Sequence, residues 1–563
     1  MSSVAPSSSS STPTSVAKPF IFGINAGGAL VTIGGRTYMA SRFGNGSPNS
    51  TTDPIGGTTD DQLFQSELYG ETITFNVPVE NGDYDIELHF VEMYQTANGS
   101  RIFSANVEGD IVFSDLDLYM TEGHDEAYTV RVSDLAVDDE EITITLTSSA
   151  DNATISGISV YSSNGAYREP PLPPPLPPSN EVPGADCNVT GLPNPNSLQN
   201  NPNLPDPFIK LDGTRISDKS EWRCRRQEIL EQAYGFIYGE KPGITDSDTV
   251  SGSVTSSRIS VSVQHNGNSL SFNNGVSVPS GSGPFPAVIA YSMAAGMRSV
   301  LNSMGVAVID YSYADVVPYQ NNLSGPFFRL YNGNSSGQLA AWAWGVSRII
   351  DVIEANPGVI DPQRIGVTGC SFAGKAAFAA GALDGRIALT MPVESGVGGI
   401  PALRLIPDLD PEGEQPPHAT SGGFMPWLSP ANFGPHRNNT DRLPVDMHQV
   451  IGLIAPRGLY AMDNHGGLQY YKNLDVHSAY ASIIAGKEIY KALGAEDSIS
   501  YVSENIGHCS WTSAFEPMLR ANVNRFLLDQ PANTGTISQG PVRVNVDSWI
   551  DWTTPTLSGN LED

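Results

Sequence analysis

Two kinds of hydrophobic patterning divide the chain. From Ile21 to Val160, short runs alternate apolar and polar residues with period two, as in ETITFNVPV, YDIELHFVEMY, EITITLTS and ATISGISVY, and Gly, Asn and Asp turns separate them. Such alternation suits strands with one face in a core and one in solvent, and it predicts an all-β sandwich. From Cys187 onward the strand-like runs FPAVIAY, GVAVIDY, RIGVTG, IALTMPV and RGLYAM are short and almost wholly apolar, as strands buried on both faces are. Between them QLAAWAWGVSRIIDVIEAN and KAAFAAGAL carry apolar residues at helical spacing. Strand, helix, strand in that order predicts a mainly parallel sheet with helices on both faces, a three-layer α/β/α domain.

The junction between the two patterns is EPPLPPPLPPSNEVPG, and proline at this density holds an extended, semi-rigid spacer. The expected organisation is therefore a Ser-rich linker over 1–18, a sandwich over 19–162, a Pro-rich linker over 163–186 and the α/β domain over 187–563, with a turn-rich tail from 531. A length of 563 residues accommodates that multidomain plan.

Charge and composition narrow the partners. With 30 Lys+Arg against 60 Asp+Glu, the net charge of -30 repels a phosphate backbone, which excludes nucleic acid. No run of about 20 uncharged apolar residues is present, so no membrane span is expected. Met1 is followed by SSVAPSSSSSTPTS, without a charged n-region or apolar h-region. That run resembles an interdomain linker, and the expectation is a segment of a longer secreted protein, acting as a monomer. The cysteines are Cys187, Cys224, Cys370 and Cys509, an even number too scattered for a zinc motif, which leaves disulfides or buried thiols. Neither metal-ligand spacing nor a phosphate-cradling Gly loop appears, so no metal or organic cofactor is expected.

The chemistry concentrates around Ser371. RIGVTG runs directly into Cys370-Ser371, and a helix beginning GKAAFAAGAL follows. A Ser on such a strand-to-helix turn projects from the sheet edge, where the next backbone N–H, that of Phe372, can stabilise an oxyanion, as in α/β-hydrolases. The motif is G-x-S-x-x-G rather than G-x-S-x-G, and a Ser that only caps the helix is the competing reading. The base is expected late in the chain, and His508 in SYVSENIGHCSW lies between a strand-like run and the helix FEPMLRANVNRFLL. Two acids compete to orient it. These are Glu394 in MPVESG and Asp463 in AMDNHGG, and position in the generic fold slightly favours Asp463.

The stretches LPDPF, EWRCRRQEI, AWAWGVSRIID, RIGVTGCS with GK shortly after the serine, RIALTMPVESG, IAPRGLY and GHC resemble the glucuronoyl esterases, carbohydrate esterase family 15, along nearly the whole second domain. The resemblance implies a Ser-His-Glu triad of Ser371, His508 and Glu394, overturning the preference for Asp463. It also implies disulfides Cys370–Cys509 and Cys187–Cys224, and a Lys375 that binds glucuronate hydroxyls. The chain departs from the family pattern at three places: Phe372 stands where an Arg usually follows the serine, Phe424 where a Glu usually precedes the Pro-Trp, and DNHGGLQYYKN lacks the usual Trp.

NAGG at Asn25 to Gly28, LFQSELYG, PVENGDYDIELHFVEMY and ATISGISV resemble a malectin domain over residues 19–162. That resemblance implies a sandwich that stacks sugars on aromatic rings, here Tyr69, Tyr94 and Phe43. Gln95 replaces an aromatic, and an expected acid after the last strand is missing; core tyrosines in a stabilising sandwich are the alternative. The function implied is a secreted serine esterase acting on (4-O-methyl-)glucuronate esters in glucuronoxylan and lignin–carbohydrate complexes of the plant cell wall, with a carbohydrate-binding module. The competing expectations are an esterase for another uronate ester or a sugar acetate, and a catalytically weak carbohydrate-binding protein.

Overall fold

The computed structural model describes residues 18–561 apart from 29–30, 40, 42–43, 45, 168–179, 320–322, 421–425, 468–473 and 539. The chain divides into two compact units, Met1–Pro170 and Pro171–Asp563.

The first unit is built from sheets of six, four and three strands. Its core forms as the period-two pattern demands. In Gly82–Val91 the residues Tyr84, Ile86, Leu88 and Phe90 are buried, and they pack with Ile73, Phe75 and Val77 of Thr72–Pro78 and with Ile142, Ile144 and Leu146 of Glu141–Ala150. The alternate positions of Thr72–Pro78 and Glu141–Ala150 are more exposed, whereas in Gly82–Val91 Asp85 and His89 on the other face are buried too.

The second unit holds a ten-stranded sheet. Asp248–Val254, Arg258–His265 and Asn268–Ser277 form an antiparallel meander at one edge, and the last of them pairs antiparallel with Ala307–Asp310. From there Phe285–Ala290, Ile360–Cys370, Ile387–Val393, Gly458–Asn464, Ile499–Glu504 and Ile537–Ser538 follow in parallel. The parallel strands are the apolar runs, because helices cover both their faces. The meander strands instead alternate Ser and Asn with Ile, Val and Phe and leave one face open, so they escape a search for continuous apolar runs. Helix Gln338–Ala355 buries Trp342 and Trp344 as well as Arg348, and is almost enclosed. The arrangement is the α/β-hydrolase fold expected from the sequence.

The Pro-rich spacer is shorter than 163–186, and that boundary is corrected at both ends. Tyr167 packs on Phe22 with ring centroids 4.6 Å apart and so belongs to the sandwich. Glu181 forms ion pairs with Lys241 and Arg348, and its carbonyl accepts from Gly385 N–H at 2.8 Å, so it belongs to the hydrolase unit. Proline content reports an extended backbone; it says nothing about partners that flanking side chains find across the chain. The tail from 531 is likewise part of the unit. Ile537–Ser538 adds the last strand, and Trp552 Nε1 donates to Leu204 O at 2.9 Å while its ring packs against Phe208.

Candidate active site

Ser371 lies between the strand Ile360–Cys370 and the helix Phe372–Leu383 with φ 62° and ψ -127°. A non-glycine residue there is strained, and the cost, of order 1–3 kcal/mol, is tolerated only where the surroundings fix the turn. They do so through close backbone approach. A Cβ on Gly369 would lie 2.2 Å from Ala373 O, and one on Gly374 would lie 2.3 Å from Val393 O. The two glycines of the G-x-S-x-x-G motif are therefore where strand and helix pass closest. Ser371 N–H donates to Val393 O at 3.0 Å, which ties the turn to the neighbouring strand. The helix start leaves the N–H of Phe372 without an intrahelical acceptor, aimed where negative charge is favoured.

Glu394 follows the strand Ile387–Val393 with φ 46°, and its N–H donates to Met462 O at 2.8 Å. Its carboxylate is 1% exposed and has both oxygens engaged. Oε2 is 2.5 Å from His508 Nδ1, and Oε1 accepts from Cys509 N–H at 2.8 Å. A carboxylate only accepts, so Nδ1 carries the proton and Nε2 keeps a lone pair. That Nε2 lies 3.7 Å from Cys509 Sγ. Cys509 is bonded to Cys370, the residue before Ser371, with Cα atoms 5.7 Å apart, and the second bridge joins Cys187 to Cys224. Cys370, Glu394, His508 and Cys509 have ligand atoms within 4.8 Å of one another. Both sulfurs are bonded to each other and offer no thiolate, so the group ties the Glu394–His508 pair to the residue before Ser371 rather than forming a metal cage. A small apolar cavity lies behind the bridge, lined by Met293, Met297, Met462 and Trp511.

Asp463, the acid preferred on generic grounds, is on the adjacent strand Gly458–Asn464 and is buried. Burial pushes its carboxyl well above the usual range, and the charge of Glu394 adds to this. Tyr501 Oη donates to its Oδ2 at 3.2 Å. His508 is thus bonded to Glu394, while Asp463 is a neutral-leaning group beside it.

On the other side of Ser371 the side chains depart from the sequence expectation. Lys375 is 1% exposed. Its Nζ donates to Ser395 O at 2.8 Å and to Glu414 Oε2 at 2.5 Å, and it lies 4.6 Å from the ring centre of Trp427. An ammonium has three donors, and here two are taken and the third meets an aromatic face. The lysine expected to hold sugar hydroxyls is therefore a buried ion-pair partner. Sequence reasoning did not find Glu414, whose signal was only a Glu in an acidic loop, DLDPEGEQ. Val397 N–H donates to Glu414 Oε2 at 3.2 Å, and Glu414 N–H to Asp475 Oδ1 at 2.7 Å. Burial pushes the Asp475 carboxyl well up, with the charges of Glu414 and Asp410 adding to it. Phe372 packs against Tyr313, Tyr319 and Trp342, with centroids 5.9, 4.4 and 6.0 Å away. Phe424 lies outside the described residues.

In the sandwich unit Tyr69 and Tyr94 are 37% and 71% exposed, as sugar-stacking rings would be, and Phe43 lies outside the described residues. Tyr69 pairs with Thr154 across Ser66–Gly70 and Ala153–Ile155. Tyr94 N–H and Gln95 N–H donate to Glu92 Oε1 at 3.0 and 2.7 Å. Gln95 Nε2 donates to Asp151 Oδ2 at 2.9 Å, and buried Arg101 pairs with Glu92 at 2.9 Å. Asp151 lies in the turn before the strand Ala153–Ile155.

Comparison with known proteins agrees with both units. A family model described as glucuronyl esterase of fungi matches residues 261–494, and a malectin domain model matches residues 20–162. The 4-O-methyl-glucuronoyl methylesterase of Schizophyllum commune is 36% identical over 396 residues, 68% of this chain and 97% of that protein. The 4-O-methyl-glucuronoyl methylesterase 1 of Phanerochaete chrysosporium is 39% identical over 371 residues, 63% of this chain and 77% of that protein. The glucuronoyl esterase catalytic domain of Hypocrea jecorina superposes with a TM-score of 0.59 at 35% identity, covering 65% of this chain and 100% of that one. A glucuronoyl esterase of Sporotrichum thermophile, solved with methyl 4-O-methyl-β-D-glucopyranuronate, gives 0.58 at 35% identity over 64% of this chain and 97% of that one. With a fold and a sequence that match these proteins together, the chain belongs to the glucuronoyl esterases of carbohydrate esterase family 15, a group of carboxylic ester hydrolases, and carries a malectin domain ahead of its catalytic domain.

Proposed function

We propose that the chain hydrolyses esters of glucuronic acid or its 4-O-methyl ether, with Ser371, His508 and Glu394 as nucleophile, base and orienting acid. The observation that carries this reading is the Glu394–His508 bond at 2.5 Å, placed by the Cys370–Cys509 bridge beside the strained turn of Ser371. His508 Nε2 takes the Ser371 proton as Oγ attacks the ester carbonyl. The Phe372 N–H stabilises the oxyanion, and the alcohol leaves with the proton from Nε2. Water, deprotonated by the same nitrogen, then releases the uronic acid.

The malectin domain serves as a carbohydrate-binding module, with Tyr69 and Tyr94 as its exposed rings, and directs the enzyme to plant cell-wall glucuronoxylan and lignin–carbohydrate linkages. Two disulfides support an oxidising, extracellular setting. Among the described residues no helix is long and apolar enough to cross a membrane.

A second reading, an esterase for another uronate ester or a sugar acetate, is favoured by the side chains beyond the triad. Phe372 supplies no cation to the oxyanion, a loss worth on the order of 10²-fold in rate, and Lys375 is engaged with Glu414. Turnover of benzyl glucuronate against an aryl acetate, by wild type and Ser371→Ala, tests both. Preference for the glucuronate, abolished in Ser371→Ala, supports the first; preference for the acetate supports the second. Equal background turnover by both proteins leaves only a binding role.

A further inference from the structure

Tyr319 is the exposed ring next to the nucleophile. It is 41% exposed and lies over Phe372, centroids 4.4 Å apart and planes inclined at 34°. Phe372 is in turn fixed from beneath by Tyr313 and Trp342, and Tyr313 packs edge-on against Trp342 at 5.3 Å. The outermost ring of a rigid aromatic stack thus presents one face to solvent beside the ester site. Its position along the site follows from the helix. Phe372 and Lys375 are three residues apart on Phe372–Leu383 and share a face, so the aromatic stack continues into the Lys375–Glu414 pair and Trp427. Burial and then the charge of Glu414 push the Tyr319 hydroxyl up, which agrees with a ring that borders this polar row.

We propose that Tyr319 is the stacking platform for the uronate ring of the substrate, a specificity-determining residue that takes the place of the cationic and indole contacts the chain lacks. This rests on the glucuronate reading given above. A pyranose shows an apolar C–H face and a polar rim. The Tyr319 ring matches the first.

The test compares Tyr319→Ala, Tyr319→Phe and Tyr319→Trp on methyl glucuronate, benzyl glucuronate and an aryl acetate. Tyr319→Ala should raise KM for both glucuronate esters by roughly tenfold at unchanged kcat, and the aryl acetate, which has no sugar, should be affected far less. Tyr319→Phe and Tyr319→Trp, which keep a ring, should restore the low KM. A loss confined to benzyl glucuronate would assign the ring to the alcohol and overturn the proposal. So would an equal loss on all three substrates, which would make Tyr319 a mere support of the Ser371 turn, or no change at all. Wild type that turns over neither glucuronate ester removes the underlying reading, and with it this one. Wild type that is active while Tyr319→Ala matches it removes this proposal alone.

Discussion

Ser371, Glu394 and His508 are held by backbone turns and a disulfide, whereas Phe372, Lys375 and Glu414, across Ser371 from them, are held by an aromatic stack and a buried ion pair with backbone bonds to Ser395 and Val397. On the first side the positive φ of Ser371 and Glu394, the close approaches at Gly369 and Gly374 and the Cys370–Cys509 bridge leave the reacting groups few alternatives. On the second side an ion pair and an aromatic stack fill the space, and each can be exchanged one residue at a time. The difference separates a rigid side, where the triad is proposed, from one where single side chains can be exchanged.

The comparison breaks first at the acid. Glu394→Gln should lower kcat/KM by about 10²–10⁴-fold, because the imidazolium loses its charged partner and the tautomer its constraint. Asp463→Asn should cost far less, since burial already favours the uncharged carboxyl. Steady-state assays on both variants decide this, and an equal loss would restore Asp463 as the orienting acid.

Opening the bridge by the Cys370→Ala/Cys509→Ala pair releases a loop of sequence separation 139. Stability should fall by about 4–5 kcal/mol by the loop-entropy rule, read by denaturant unfolding, and kcat should fall with it. On the second side, Glu414→Gln leaves the ammonium of Lys375 buried without a counter-charge and should cost about 3 kcal/mol. The double change Lys375→Met/Glu414→Leu removes both charges and should recover much of that stability. If the double variant is no better than the single one, the pair is not the interaction that holds this side together.

The last effect concerns pH, and it compares the two units. Burial lowers His89 of the sandwich and His448 of the hydrolase unit to about 4. An unfolded histidine takes its proton near 6.5, so between that value and about 4 the unfolded chain binds more protons than the folded one. Stability is therefore fully present above pH 6.5 and declines toward pH 4, by about 3 kcal/mol for each histidine. His448→Gln should flatten this dependence for the hydrolase unit alone, and His89→Gln for the sandwich alone, as followed by unfolding at several pH values.

Much of this was legible before the fold was known. RIGVTG running into Cys370-Ser371 specifies a buried strand and a turn, and the lateness of His508 follows from the order of elements. Four features were not legible. Glu394 and Asp463 end adjacent strands, and the turn at Glu394 together with the loop carrying His508 decides which carboxylate reaches the ring. Lys375 meets Glu414 across 39 residues with no periodicity to signal it. The Ser-rich meander strands and the packing of Glu181 against Lys241 and Arg348 depend on neighbours that local pattern does not name.

The sequence by itself determined the two-unit plan and the sandwich and parallel-sheet patterns, and it singled out Ser371 and His508 as candidates, because hydrophobic period and backbone turn chemistry are local. Resemblance then supplied Glu394 and the cysteine pairing. Only the tertiary structure decided that Lys375 is buried in an ion pair and that Tyr319 caps Phe372. Those outcomes are contacts between distant segments, fixed by which side chains the folded backbone brings within a few ångströms.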